Sequence, residues 1–200
     1  MRKSAYERAP EFRISQADAY LWTESDSRGH VLAAWDRSDT ALSTMRGITA
    51  LTHHAAQEQL ECSIDLDSSW FPTLILERAA TSANNSYSGL NSLLRAHFIE
   101  AALRDGVSSV LGAVFDGAPR LRVLSELGYE FSLAKRMWDP NFVDHTPVHI
   151  VALARDRMPT ALSTLRKRFG AVAECFPWRG PQLRLAQTTE VHDAESSSPA

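Results

Sequence analysis

The clearest alternation of apolar and polar positions lies in residues 70–131. Residues 73–81 begin with a nearly continuous apolar run, which is typical of a strand covered on both faces. A polar loop follows, and then an amphipathic helix over residues 88–104 whose apolar residues recur at three- and four-residue spacing. Asp105-Gly106 ends that helix, and residues 107–114 form a second strand-like run. The pattern predicts the order strand, glycine-bearing turn, helix, strand.

The segments before this stretch predict the edge of a sheet. Strand-like runs separated by turn residues form an antiparallel meander at residues 17–23, 31–35 and 40–45. Residues 48–60 are expected to form a helix, and residues 62–69 an acidic loop. Residues 1–15 predict a loose arm or a short capping helix.

The segments after this stretch continue the alternation. We predict a short helix with Asp116 as its N-cap and Pro119 in its first turn, ending at Gly128. Strands are expected to begin at Tyr129 and to cover residues 148–154, and a last helix is expected over residues 159–170. The pattern therefore predicts one α/β domain over residues 1–180, followed by a disordered tail over residues 181–200.

Composition narrows the class of protein. The 200 residues and a hydrophobic fraction of 44% suit one domain with a real core, and the net charge of −3 argues against general nucleic-acid binding. We find no apolar run of the ~20 residues that a membrane span needs, and no signal-peptide pattern at the N-terminus. Cys62 and Cys175 are isolated, which favours a reducing, cytoplasmic compartment. His53-His54 lacks a matching second cluster, so we predict no metal site.

Candidate chemistry lies at two places in the central stretch. Gly89, at the start of the predicted helix, would let helix N–H groups bind an anion such as the phosphate of an acyl donor. Glu77 and Arg78 interrupt the best core strand, and a polar pair there needs partners. Because adjacent residues on a strand point to opposite faces, either the pair forms a strand-end salt bridge or one of the two faces an active site.

Three motifs resemble the GNAT superfamily of acyltransferases. They are residues 76–81 (Leu-Glu-Arg-Ala-Ala-Thr), residues 86–91 (Ser-Tyr-Ser-Gly-Leu-Asn) and residues 124–131 (Leu-Ser-Glu-Leu-Gly-Tyr-Glu-Phe). Arg78 in the first motif, and Arg46 in Thr44-Met45-Arg46, are similar to signature arginines of the branch that holds N-acyl amino acid synthases and acyl-homoserine-lactone synthases. The resemblance implies a GNAT-like α/β fold, with a mixed, mostly antiparallel central sheet flanked by helices in three layers.

The resemblance also implies an acyl thioester as co-substrate, either acyl-CoA or an acyl group on the phosphopantetheine of an acyl-carrier protein. Its phosphates would bind Ser86, Tyr87, Ser88, Gly89, Leu90 and Asn91. This chain departs from the superfamily pattern at five positions, two of which are Ile75 in place of the signature Glu and Asp116 near the usual Asn. Ser86 stands in place of Gln or Arg, Asn91 in place of a small residue, and Leu124 in place of the Tyr that often protonates the leaving thiolate. Tyr87 or Tyr129 is a substitute acid.

The expected reaction is acyl transfer to the amine of a small, amino-acid-like acceptor. Glu77 is the leading candidate for the base that takes the amine proton, and a backbone N–H of a splayed central strand would stabilise the thioester oxygen. Arg46 or Arg78 would bind the acceptor carboxylate. Two alternatives are an acetyl-CoA-dependent N-acetyltransferase and a non-catalytic GNAT-like domain that binds a ligand or a partner protein.

Two further features leave alternatives open. An apolar tunnel for a long acyl chain would be lined by Phe131, Met137, Trp138 and Phe142, although simple core and loop anchoring explains these residues equally well. The basic run 166–168 suits a helix C-terminus through the helix dipole, and a docking patch for an acyl-carrier protein is the alternative. The sequence does not exclude a homodimer.

Overall fold

The computed structural model describes residues 29–60, 62–63, 66–82, 89–136, 147–179 and 181–185. Within them, seven strands form one sheet in the order β1-β2-β4-β5-β7-β6-β3. The strands are β1 (His30–Trp35), β2 (Ala41–Ala50), β3 (Cys62–Ser63), β4 (Thr73–Thr81), β5 (Ser109–Phe115), β6 (Glu130–Arg136) and β7 (Val148–Ala154). The helices are α1 (His53–Leu60), α2 (Leu90–Arg104), α3 (Arg120–Glu126) and α4 (Met158–Cys175).

Strand pairing in the sheet is antiparallel at every contact except one. The central strands β4 and β5 are parallel, because α2 connects them and returns the chain to the same end of the sheet. Their C-terminal ends therefore lie together, next to the N-terminus of α2. The predicted mixed, mostly antiparallel sheet is confirmed.

The core divides between the two faces of this sheet. On one face, α2, α3 and α4 cover a large cluster built around the fully buried Phe98, Leu153 and Met158. On the other face, α1 covers a smaller cluster that includes Ile75 and Leu111. Apolar side chains therefore alternate between two helical layers along β4 and β5, which explains the unbroken apolar runs of these strands. The arrangement is the predicted three-layer α-β-α fold.

Several predicted elements agree with the structure, and others differ from it, among them the predicted loop over residues 62–69, which begins with β3. Strand β4 has the predicted bounds, as does β7. The helix predicted from residue 48 begins only at His53, because Ile48 and Ala50 extend β2 and pair with Ile75 and Thr73. Asp116 does not cap α3, which begins at Arg120 after Pro119.

The last helix does not end at Gly170 as predicted. It continues to Cys175 across a break at Phe169, whose φ of −122° and ψ of 18° are non-helical. The predicted strand at residues 17–23 and the arm at residues 1–15 lie outside the described residues.

Residues 181–185, at the start of the predicted tail, lie against the C-terminal end of α2. Leu185 is buried, and its backbone N–H donates to the Asp105 carboxylate at 2.8 Å. Burial raises the pKa of Asp105, but the Leu185 N–H and the adjacent Arg104 outweigh it and hold that pKa below its ordinary value. Residues 186–200 lie outside the described residues, so the predicted tail remains a prediction beyond residue 185.

Two glycines offer a matched test of the packing between β2 and α2. A Cβ added at Gly47 would lie 2.4 Å from Cε1 of the fully buried Phe98, so Gly47→Ala should destabilise the fold by about 1–3 kcal/mol through overpacking. A Cβ added at Gly170 meets nothing within 4 Å, so Gly170→Ala should be neutral or stabilise by up to about 1 kcal/mol. Urea unfolding of both variants measures the difference, and equal stabilities would contradict this account of Gly47.

Candidate active site

The central feature of the site is the separation of β4 from β5. Their ladder covers Thr73 to Ile75 opposite Ser109 to Leu111. The strands are still close at the next residue, since a Cβ on Gly112 would lie 3.1 Å from the Leu76 carbonyl oxygen. Beyond that point no pairing joins the two strands within the described residues. The C-terminal parts of β4 and β5 are thus not paired with each other and form the two sides of a gap.

A β-bulge in β4 lies directly beyond the point of separation. Thr44 of β2 pairs with Ala80 and Arg46 pairs with Glu77, so two residues of β4 lie opposite one residue of β2. Arg78, inside the bulge, has a φ of +49°, which is rare for a residue with a side chain. Bulges bend a strand and redirect its side chains, and they are common next to active sites. The bend at Arg78 is thus part of the geometry that opens the gap.

Glu77 and Arg46 form an ion pair on the face of the sheet covered by α1. The Arg46 side chain is 1% exposed and the Glu77 side chain 20% exposed. Gln59 of α1 donates from Nε2 to both carboxylate oxygens of Glu77, at 3.0 Å each. The two residues predicted to serve as base and carboxylate binder are therefore direct partners. The salt bridge that was one of the two alternatives predicted for Glu77 is therefore present, and it lies beside the gap.

Gly89 lies at the N-terminus of α2, as predicted. Its φ of +91° places it in the left-handed region, and its carbonyl oxygen accepts from the Leu93 N–H at 2.9 Å. The ring of Phe169, at the break in α4, lies against it, since an added Cβ would be 2.3 Å from Cδ1 of that ring. Glycine is thus required here by the backbone conformation and by the close contact with Phe169.

The two residues after Gly89 have different surroundings. The Leu90 side chain is buried in the core, so only its backbone can serve a ligand. The side-chain oxygen Oδ1 of Asn91 accepts from the Ser43 hydroxyl at 2.8 Å, which joins the first turn of α2 to β2. Ser86, Tyr87 and Ser88 lie outside the described residues, as do Met137, Trp138 and Phe142.

The position of the expected acid is apolar in the structure as well as in the sequence. Leu124 is 2% exposed and belongs to the core, so no proton donor stands there. Tyr129, a substitute predicted from the sequence, is buried, and its hydroxyl accepts from Arg95 of α2 at 3.1 Å. The Arg95 guanidinium also lies 5.6 Å from the centre of the Tyr129 ring.

Asp116 and His149 form a polar pair that was not predicted from the sequence. Oδ1 of Asp116, directly after β5, lies 2.9 Å from Nε2 of His149 in β7. The two residues are far apart in the chain, and β5 and β7 meet only through sheet pairing, so local spacing carries no signal for this pair. The isolated His149 within an otherwise apolar strand was the one available hint.

Neither a metal site nor a membrane span is found within the described ranges. No group of three or more His, Cys, Asp or Glu side chains in them could hold a metal ion. His53, the first of the two adjacent histidines, accepts from the Leu66 N–H through Nε2 at 3.2 Å. The described helices are too short or too polar to cross a membrane.

Three features together are those of a GNAT-like α/β fold: a mixed sheet whose parallel central strands separate, a bulge in the first of these strands, and a helix N-terminus beside the gap. Solved structures agree with this assignment. The CoA-dependent acyl-homoserine lactone synthase BjaI with SAM and isopentyl-CoA has a TM-score of 0.56 at 15% identity, with 91% of this chain and 84% of that chain covered. The same synthase with MTA has a TM-score of 0.57 at 16% identity, with the same coverage.

Two other structures share this fold. TofI in a ternary complex with an inhibitor and MTA has a TM-score of 0.55 at 16% identity, with 81% of this chain and 85% of that chain covered. Ribosomal-protein-alanine N-acetyltransferase from Brucella melitensis has a TM-score of 0.51 at 13% identity, with coverages of 76% and 88%. Models of protein families and curated protein sequences gave no match. At these identities the likeness concerns the fold, and it confirms the predicted GNAT-like fold and its similarity to acyl-homoserine lactone synthases.

The ion pair of Arg46 and Glu77 makes a prediction for stability. Glu77→Leu removes the carboxylate partner of a guanidinium that is 1% exposed, which should cost about 3–5 kcal/mol of unfolding free energy. Replacing both charges, Arg46→Met with Glu77→Leu, should recover most of that loss because no buried charge is left without its counterion. Urea unfolding of the two single variants and the double variant gives the coupling energy. A loss of unfolding free energy in the double variant equal to the sum of the two single losses would contradict the ion pair.

Proposed function

We propose that this protein is an N-acyltransferase that moves an acyl group from an acyl thioester to the amine of a small, amino-acid-like acceptor. The donor would be an acyl-CoA or an acyl group carried on an acyl-carrier protein. The observation that carries the proposal is the gap between β4 and β5 beside the N-terminus of α2. A thioester arm can lie between separated strands, and its phosphates can meet helix N–H groups.

The donor phosphates would bind the chain that enters α2. Gly89 and Leu90 supply backbone N–H groups at the positive end of the helix dipole, and this is the part of the predicted loop that the structure describes. Because Oδ1 of the Asn91 side chain accepts from Ser43, the side-chain NH2 group is the part suited to a phosphate oxygen. Ser86, Tyr87 and Ser88 remain predicted contacts.

The reaction itself would take place at the bulge in β4. Beyond Ile75 the β4 backbone has no ladder to β5, so an N–H group of β4 that points to that side would stabilise the thioester oxygen as it becomes negative. Glu77 would accept the proton of the amine, and Arg46 and Gln59 would hold its carboxylate in place. Arg78, half-buried and redirected by the bulge, would bind the acceptor carboxylate.

Side chains on the same face as α2 favour an acyl group longer than acetyl. Phe131 is 38% exposed and Leu133 is 69% exposed, and both project from the α2 face of β6. Exposed apolar side chains at adjacent positions on one face are suited to an apolar ligand. The structure of BjaI with SAM and isopentyl-CoA supports testing both compounds here.

An acetyl-CoA-dependent N-acetyltransferase is the second candidate, and the fold shared with the ribosomal-protein-alanine N-acetyltransferase favours it. The choice of donor carrier, a homodimer and a cytoplasmic location all remain predictions.

Two of the three residues in the basic run 166–168 form ion pairs on the surface. Arg166 pairs with Glu100 at 2.9 Å and Arg168 with Glu126 at 2.6 Å, so both serve to fasten α4 to its neighbours.

An acyl-transfer assay tests the proposed function directly. Purified protein is mixed with acetyl-CoA, isopentyl-CoA or octanoyl-CoA, together with one of the twenty amino acids or S-adenosylmethionine. Free thiol is followed by absorbance and acylated amine by mass spectrometry. We expect transfer from a donor longer than acetyl. Transfer from acetyl-CoA alone would support the second candidate, and no thiol release from any combination would overturn both.

Substitution of Gly89 tests the donor site. Gly89→Asp should weaken CoA binding by about tenfold or more relative to Gly89→Ala, because its carboxylate would repel the donor phosphates. Gly89→Ala is the necessary control, since any side chain here meets Phe169 and strains a left-handed backbone. Titration calorimetry with CoA compares the two variants. Equal affinities of the two variants for CoA would show that the donor phosphates do not bind at Gly89.

Substitution of Glu77 tests the base. Glu77→Gln should lower kcat by about 100-fold or more and change the dissociation constant of the acyl-CoA little, because the amide cannot accept the amine proton. Glu100→Gln is a matched control, as Glu100 is also paired with an arginine but lies on the surface of α2. Full turnover by Glu77→Gln at neutral pH would exclude Glu77 as the base.

A further inference from the structure

The proposed transfer needs a group that protonates the departing thiolate, and the predicted position for that group is occupied by the buried Leu124. We propose that His149, oriented by Asp116, is this proton donor. The inference rests on the proposed function and names a residue that the sequence motifs do not indicate.

The topology places His149 at the open end of the gap. Strands β4 and β5 are parallel, so the C-terminal ends of both lie at the end of the sheet where α2 begins. Strand β7 is antiparallel to β5, and its second residue, His149, pairs with Val114 near the C-terminal end of β5. His149 is therefore at the same end of the sheet as Gly89 and the bulge at Arg78.

The His149 ring also lies on the face where the donor would be. Directly paired residues of neighbouring strands point to the same face of a sheet. Val114, the partner of His149, belongs to the core cluster beneath α2, α3 and α4. The ring is thus on the α2 face, and β5 separates its strand from the gap.

The contacts of the ring suit an oriented proton donor. Nε2 lies 2.9 Å from Oδ1 of Asp116, and the ring of Phe131 meets it edge-on with the centroids 6.4 Å apart. The side chain is 20% exposed, so it is held firmly and yet can be reached by a ligand. A carboxylate on one ring nitrogen fixes the orientation of an imidazole and stabilises its protonated form, which is the logic of catalytic His-Asp pairs.

Neighbouring side chains connect this pair to the acyl group. Leu133 of β6 pairs directly with His149, and Phe131 lies two residues before it on the same face. These are the exposed apolar residues that favour an acyl chain. Asp116 is the charged group in contact with the ring, while the contacts from β6 are apolar. An acyl chain that runs from the gap across the α2 face to Phe131 and Leu133 would pass His149 on β7.

The proton and bond changes balance without another reactant. The amine nitrogen attacks the thioester carbonyl carbon, a C–N bond forms, and the amine gives its proton to Glu77. The C–S bond then breaks, and protonated His149 gives its Nδ1 proton to the sulfur while Nε2–H continues to donate to Asp116. Between turnovers, Glu77 releases a proton to water and His149 takes one up.

The experiment uses the full-length protein with the donor and acceptor on which wild type is active. His149→Gln should lower kcat by about 100-fold or more, because glutamine can bond to Asp116 but cannot donate a proton at neutral pH, while KM for the acyl-CoA stays within about twofold. Added imidazole should restore part of the activity of His149→Ala.

Two comparisons separate catalysis from folding. His97→Gln is the matched control, since His97 is also partly buried and meets an aromatic ring, that of Trp178, with the centroids 5.0 Å apart. It should retain wild-type kcat. Should His149→Gln lose its fold, Asp116→Asn tests the same role at a more exposed position, and its kcat should fall by about tenfold or more.

The outcomes distinguish this inference from the proposed function. Wild-type transfer with an unchanged kcat in a folded His149→Gln, or in Asp116→Asn if His149→Gln does not fold, would overturn the role of His149 and leave the proposed function standing. An equal loss in His97→Gln would show a general effect of histidine replacement and would also overturn the role. Absence of transfer in wild type would overturn the proposed function and this inference with it.

Discussion

The site depends on how far β4 remains paired with β5. Parallel strands buried between helical layers normally continue their ladder, because unpaired backbone groups in a core are costly. Here the ladder covers three residues of each strand, and the bulge at Arg78 bends β4 immediately afterwards. The gap is thus built into the backbone, and the proposed donor would occupy space and satisfy backbone groups that the ladder leaves open.

The buried charge beside the gap reinforces this geometry. Arg46 lies on β2 directly opposite Glu77, at the last paired position before the bulge, and α1 adds Gln59 to the same carboxylate. An ion pair removed from water contributes to stability only when it is well satisfied, and it then favours one register over others. The pair therefore fastens β2 and α1 to β4 at the place where β4 leaves β5.

The residues of the proposed site lie at one end of the sheet. Gly89, the bulge at Arg78 and the pair of Asp116 and His149 lie at the end where β4 and β5 separate, and the apolar Phe131 and Leu133 lie beside that pair. The opposite end, where α2 finishes at Asp105, carries structural contacts to Leu185 and to Arg184. This division is consistent with one end serving ligands and the other holding the chain together.

The sequence by itself determined the order and type of the central elements. Apolar runs and helical spacing are local properties, so β4, β7 and most of α2 were predicted within a few residues. Two local features were also predicted from the sequence, namely the glycine at the start of α2 and the polar interruption at Glu77 and Arg78. An unusual residue in a regular pattern can be recognised without knowledge of tertiary contacts. Local spacing failed at residues 48–52, where pairing with β4 extended β2 in place of the predicted helix.

Tertiary structure alone decided which polar residues became partners. Arg46 and Glu77 were predicted to have separate roles, and the register between β2 and β4 joined them. Asp116 was predicted to cap a helix, and the pairing of β5 with β7 gave it His149 instead. Contacts between distant strands depend on register and strand order, and neither follows from spacing along one segment.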